Sequence, residues 1–264
     1  MKKAILFTIL FSLSFVSCDD GFDLFSNNRT VAALKEALIF GSENSVSTIR
    51  SVGYLNDDLI KIALPQEAQN AFKVINALEG NVLTKFLLDA LNIEPNLEST
   101  LVELINGAAT DAVPAAAGVF KNAITGMTIS DGKNILFGAD NAATQYLHDN
   151  TYTQLQDAFE PTITNSLNTV SIGNFTPNTA WARLSNINNS MSNIINNSTI
   201  ASTLLNSQGI SVAPLPESLS DYVTGKALDG LFTKVAGEEL KIRTNPAART
   251  TDLLKEIFGQ LDNR

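Results

Sequence analysis

Apolar residues along most of the chain recur at three- and four-residue spacing, the period of an amphipathic helix rather than of a strand. Val31, Leu34, Leu38 and Ile39 make a stripe that stops at Gly41, a position read as a helix C-cap. Val46, Ile49 and Val52 continue it, with Tyr54 and Leu55 leading to a loop at Asn56-Asp57-Asp58. Ile60, Ile62 and Leu64 alternate, the one strand-like piece, before Pro65. Further stripes follow: Ala68, Phe72, Ile75 and Leu78; Val82, Phe86, Leu87, Ala90 and Leu91; Leu97, Leu101, Leu104 and Ile105; Val113, Ala117, Phe120 and Ile124. Pro114 stands where a helix can begin, because the first turn needs no amide donor there.

Ser130 and Asp140 read as N-caps separated by Gly138. From Ala143 through Tyr146, Leu147, Leu155 and Phe159 the pattern is one long helix or two joined near Asn150, and Pro161 bends or restarts it. Residues 185–206 are rich in Asn, Ser and Thr, yet Trp181, Leu184, Ile187, Met191 and Ile194 keep helical spacing. This predicts a helix with a polar outer face, weakened by the low propensity of Asn. Pro214 and Pro216 mark a loop over 211–220. Tyr222, Ala227, Leu228, Leu231, Phe232 and Val235 then predict a strong helix running through Ile242. Asn245-Pro246 supplies a cap followed by proline, and Leu253, Leu254, Ile257 and Phe258 give a last apolar face ended by Gly259. With no tandem repeat and no linker, the expected fold is all-α: a single multi-helix, bundle-like domain over 30–264.

The first residues do not belong to that domain. Lys2 and Lys3 precede an apolar run from Ala4 to Val16 that is too short to span a bilayer, which takes about 20 residues, and that suits a secretory signal. Cleavage after Ser17 by ordinary signal peptidase would leave bulky Phe15 three places before the cut. Phe15-Val16-Ser17-Cys18 resembles instead a lipobox, in which the cysteine is acylated. Residues 1–17 are therefore expected to be a cleaved lipoprotein signal peptide, and 18–29 the acylated Cys18 with a tether. The chain has one cysteine, so it forms no internal disulfide, and acyl chains anchor at about 0.8 kcal/mol per buried methylene. The expected address is the bacterial cell envelope, on the periplasmic side or at the cell surface, with the membrane reached through the N-terminal lipid. Asp19-Asp20 bears on which, since acidic residues there accompany inner-membrane retention in some Gram-negative lineages and surface export in others.

With Lys2 and Lys3 removed, 16 of the 18 basic residues face 27 acidic ones, a formal charge of −11. Such acidity argues against nucleic acid as a partner and against electrostatic adhesion to anionic lipid.

Three segments together resemble a bacterial family known as domain of unknown function number forty-one ninety-seven. They are Leu34-Lys35-Glu36-Ala37-Leu38 with Gly41; Asn106-Gly107-Ala108-Ala109 through Met127-Thr128-Ile129 to Asp140-Asn141-Ala142-Ala143-Thr144; and YVTGKALDGLF from Tyr222 with NPAARTTDLLKEIFG from Asn245. The resemblance covers nearly all of the mature chain and implies a helical, secreted or lipid-anchored protein. It implies no activity.

Candidate chemistry is sparse. His148 is the single histidine, and no Gly-Xaa-Ser-Xaa-Gly elbow accompanies it, so nucleophilic catalysis lacks its parts. One His with one acylated Cys makes a zinc site improbable on ligand grounds. No EF-hand, Walker or dinucleotide-binding pattern occurs, so no cofactor is expected. Glu238-Glu239 is the obvious carboxylate pair for a hydrolase, but neighbours on a helix point about 100° apart, which favours a solvated face. Lys226, Asp229, Arg243, Arg249 and Asp252 lie on or beside apolar helices and form the candidate polar cluster. They serve either as internal ion pairs and caps or as a pocket for a small anionic ligand built on Arg243 and Arg249. The expected activity is that of a non-enzymatic binding or scaffold module with an envelope protein or small ligand as partner. The alternatives are a carrier of a lipid or other small ligand in an interhelical cleft and a carboxylate-dependent hydrolase.

Overall fold

The computed structural model describes residues 28–78, 96–171, 175–199, 203, 213–249 and 252–259. In chain order its helices are α1 (Asn28–Val52), α2 (Gln66–Leu78), α3 (Leu97–Ala112), α4 (Ala115–Gly126), α5 (Ile129–Phe137), α6 (Ala142–Thr169), α7 (Pro177–Asn196), α8 (Leu219–Thr244) and α9 (Asp252–Gly259). A 3-10 turn, Pro246–Ala248, joins the last two. The described residues contain no β-strand, so the fold is all-α.

The 28-residue α6 is the central post, about 42 Å long at the helical rise. α8 packs along it, α3 and α4 flank it, and α1 lies against α4, α5 and α8. The larger core gathers Ile49, Leu101, Ile105, Phe120, Leu155, Phe159 and Leu231, each at 0 % exposure. A smaller core sits at one end, where Ala33, Leu34, Ala37, Ile135, Leu136, Ala143, Ile242 and Phe258 meet.

Several local expectations change in the structure. Gly41 does not end α1, which runs on to Val52. Its missing side chain faces α8 at ordinary contact distance, and the buried Ser42 and Ser45 bond the carbonyls of Ile39 and Gly41 within the helix, so polar groups on the covered face are satisfied. The cap of α5 is Thr128 rather than Ser130: its Oγ1 accepts from the amide of Asp131, and the Asp131 carboxylate accepts from the amide and hydroxyl of Thr128. These bonds to the ionised form hold the Asp131 carboxyl below the usual carboxylate range. Likewise Asn141, not Asp140, stands at the start of α6. Pro161 does not restart α6, which is continuous from Ala142 to Thr169; it lies exposed, with Phe159 and Ile163 on either side wholly buried.

The alternating Ile60-Ile62-Leu64 piece buries all three side chains but is not a strand and has no strand partner among the described residues; Ile60 closes a turn on Asp57 O. A side chain takes that role: Asn106 of α3 donates Nδ2 to Ile62 O and accepts from Ile62 N at Oδ1, both at 2.8 Å. Of the Asn-rich region, α7 extends to Asn196, with Trp181 and Leu184 buried and Asn188 donating to Ala213 O at 2.8 Å. The stripe from Val82 to Leu91 lies outside the described residues.

Candidate functional site

The smaller core contains the buried charges, and the α5–α6 connection explains how they come together. A β-carbon on Gly138 would stand 2.5 Å from Asn134 O and 2.7 Å from Ala142 Cβ, so only glycine permits this tight link. It sets the C-terminal carbonyls of α5 beside the N-terminal amides of α6. These are the orphan donors and acceptors that every helix end leaves. The last turns of α8 cross this junction with Glu239 and Arg243, one helical turn apart on the same face.

Glu239 and Arg243 side chains are each 7 % exposed. The Glu239 carboxylate accepts from Ala143 N at 2.9 Å, and from Thr144 N and Thr144 Oγ1 at 2.8 Å. It accepts further from Arg243 Nε at 2.9 Å and Nη2 at 2.8 Å. A negative charge over the first turn of α6 also faces the positive end of that helix's dipole. Arg243 turns its other edge to α5, donating Nη2 to Ile135 O at 2.7 Å and Nη1 to Leu136 O at 3.4 Å. Arg249, 2 % exposed, completes the series by donating Nε to Ile242 O at 3.0 Å and Nη2 to Arg243 O at 2.9 Å, both in the last turn of α8. Three charged side chains thus cap three helix ends.

Of the five residues singled out in the sequence, the structure brings together Arg243 and Arg249 and leaves the others elsewhere. Lys226 and Asp229 pair with each other at 2.9 Å on the surface, at 49 % and 60 % side-chain exposure. They lie about 15 Å or more along α8 from Glu239. The hydrogen bond to Asp229 raises the pKa of the Lys226 ammonium. Asp252 is exposed and pairs with Lys255 at 3.3 Å. Glu239 lies inside rather than on the solvated face that the Glu238-Glu239 pair suggests, while its neighbour Glu238 pairs outward with Lys241 at 2.6 Å. The spacing of Val235, Glu239 and Ile242 on one apolar stripe, with Arg243 four residues on from Glu239, is the sequence feature that marks the buried position.

Beside the ion pair lies a cavity of about 30 Å³, lined by Leu34, Leu38, Leu147, Val235, Ile242 and Phe258 among others. That is room for about one water. With five donors on it, the Glu239 carboxylate cannot accept a substrate proton without giving up a cap. His148 lies elsewhere on α6, its ring 5.0 Å from that of Tyr152 and 4.9 Å from Phe232, with Nδ1 3.2 Å from Asp149 Oδ1. No cluster of three His, Cys, Asp or Glu side chains suited to a metal occurs among the described residues.

A family model described as a protein of unknown function, DUF4197, matches residues 24–259. The chain belongs to the DUF4197 family. No curated protein and no solved structure matches it. Of the segments of this DUF4197 chain that carry the resemblance, Asp140 to Thr144 and the run from Asn245 to Gly259 lie at the junction, while Glu239 and Arg243 fall between those segments but inside the matched range. In the Tyr222–Phe232 segment, Gly230 lets the ring of Tyr54 rest on the α8 backbone.

Proposed function

We propose that this DUF4197 protein is anchored in the bacterial cell envelope through an acylated Cys18 and works as a non-enzymatic binding or scaffold module. The observation that carries the module reading is the saturation of its interior charges. Glu239, Arg243 and Arg249 each bond to helix ends of the same chain, which favours recognition at the outer surface over chemistry within. The lipobox-like Phe15-Val16-Ser17-Cys18 supports the anchor, and among the described residues no helix is long and apolar enough to cross a membrane. Between Cys18 and α1, nine residues would reach roughly 30 Å at full extension, keeping the body close to its lipid surface.

The carrier alternative requires the cavity of about 30 Å³ beside Glu239 to open widely before a lipid could enter. The hydrolase alternative requires Glu238 and Glu239 to face one substrate, while one pairs with Lys241 outside and the other caps α6 inside. Cross-linking in intact cells, with mass spectrometry of the N-terminal peptide, tests the proposal. It expects an acylated Cys18 and a recurrent protein partner that is lost in Cys18→Ser; an unmodified N-terminus, or robust turnover by the purified domain, overturns it.

A further inference from the structure

The stretch between Cys18 and α1 is not uniformly polar. Residues 18–27 lie outside the described residues, but Phe22, Leu24 and Phe25 put three large apolar side chains into four positions, with Asp23 among them. The match to the DUF4197 model begins at residue 24, four residues ahead of α1, which favours a place on the domain for the end of this stretch. On the body, α5 buries Gly132, Ile135 and Leu136. Its outer side carries Ile129, Lys133 and Phe137 at i, i+4 and i+8, one stripe of a helix. Ile129 is 45 % exposed and Phe137 40 %. The start of α1 lies beside this helix, since a β-carbon on Gly132 would stand 3.2 Å from Val31 Cγ2. Along α5, Gly132 is about 4.5 Å from Ile129 and about 7.5 Å from Phe137. Three residues back from Asn28 to Phe25 span up to about 10 Å, and six back to Phe22 up to about 20 Å, so both rings can reach the stripe.

We propose that residues 22–25 dock on the stripe of α5 formed by Ile129, Lys133 and Phe137, with the phenylalanine rings on the two apolar positions and Asp23 toward the Lys133 ammonium. The occupant matches the stripe in character: apolar side chains meet apolar ones, and one negative charge meets one positive charge. It is also joined to the body beside the stripe, so its effective concentration there is on the order of millimolar, which favours it over a separate molecule. Docking shortens the free chain next to the anchor to Asp19-Asp20-Gly21. Cys18 and Phe22 then lie at most about 14 Å apart, against roughly 30 Å from Cys18 to an unfastened α1. The α5 side of the domain is thereby held toward the lipid surface. That last consequence rests on the anchored-module reading; the docking itself does not.

Amide exchange of the full-length chain in detergent, read by mass spectrometry, tests the proposal. Amides of residues 22–27 are expected to exchange at least about 10-fold more slowly than in an unstructured peptide. The double variant Ile129→Ser with Phe137→Ser should abolish that protection while α6 and α8 keep theirs. Should that variant lose protection throughout, the reciprocal one, Phe22→Ser with Phe25→Ser, decides: it should speed exchange in α5 and leave α6 and α8 as they were. Exchange of residues 22–27 at the unstructured rate in wild type overturns the proposal, as does protection that survives loss of the stripe, or an α5 indifferent to loss of the two rings. The same spectra weigh the N-terminal peptide. Protected residues 22–27 behind an unmodified Cys18 would sink the anchor alone, and an acylated Cys18 ahead of unprotected residues would sink the docking alone.

Discussion

The ring of Tyr54 rests against Gly230: a β-carbon there would lie 2.6 Å from Tyr54 Cε1 and 3.1 Å from Ile60 Cβ. Tyr54 is wholly buried, its hydroxyl donates to Ala227 O at 2.5 Å, and burial raises its pKa far above the ordinary phenol value. Gly230→Ala should therefore destabilise the protein by about 1–3 kcal/mol through overpacking, although alanine is the better helix former. Gly225 and Gly237 on the same helix have open space around them. Replacing either by alanine should raise stability by up to ~1 kcal/mol in urea titrations, and equal effects at all three positions would refute the close approach.

The loop after α1 is tied to α8 by an ion pair between Asp57 and Lys234, with solvent at 15 % and 19 % side-chain exposure. The Lys234 ammonium holds the Asp57 carboxyl below its usual range. A lowered carboxyl pKa gives stability that is complete above the unfolded value, near pH 4, and lost as pH falls through the folded one. Asp57→Asn should cost about 1 kcal/mol at neutral pH, as expected for a pair at the rim. Denaturation curves of variant and wild type should converge toward about pH 2. A gap that stays constant with pH would speak against the pairing.

Asn106 replaces a neighbouring strand for Ile62, which is 2 % exposed. Asn106→Leu leaves a buried N–H and a buried C=O unpaired and should cost about 2–5 kcal/mol, each orphan group contributing its own desolvation penalty. Asn106→Asp keeps the acceptor but sets a buried carboxylate against the carbonyls of Ile62 and Val102, so at neutral pH it should cost at least as much as leucine. Chemical denaturation of the three proteins checks the order.

These cases show what the residue pattern could and could not reveal. Helical periodicity located α3, α4, α6 and α8 because each has a stripe wide enough to be buried on one side. It failed at Gly41, because a glycine that packs against a neighbouring helix looks the same in one dimension as a glycine that ends its own. The alternation of Ile60, Ile62 and Leu64 marked three buried side chains, but no strand forms, and the partner that satisfies Ile62 is a side chain 44 residues away. At the buried junction, charge alone was ambiguous: Lys226, Asp229 and Asp252 share the character of Arg243 and Arg249 yet stay outside. The apolar spacing around Glu239 separated inside from outside, and formal charge had hidden it.

The account depends most on the Glu239–Arg243 pair being a cap for α5 and α6, with no free valence for a ligand. A double-mutant cycle with Glu239→Leu and Arg243→Met, followed by urea denaturation, measures this directly. Each single change should cost about 3–5 kcal/mol by stranding a buried charge, and the double variant should cost clearly less than their sum. Single variants that unfold at the wild-type midpoint would contradict the account.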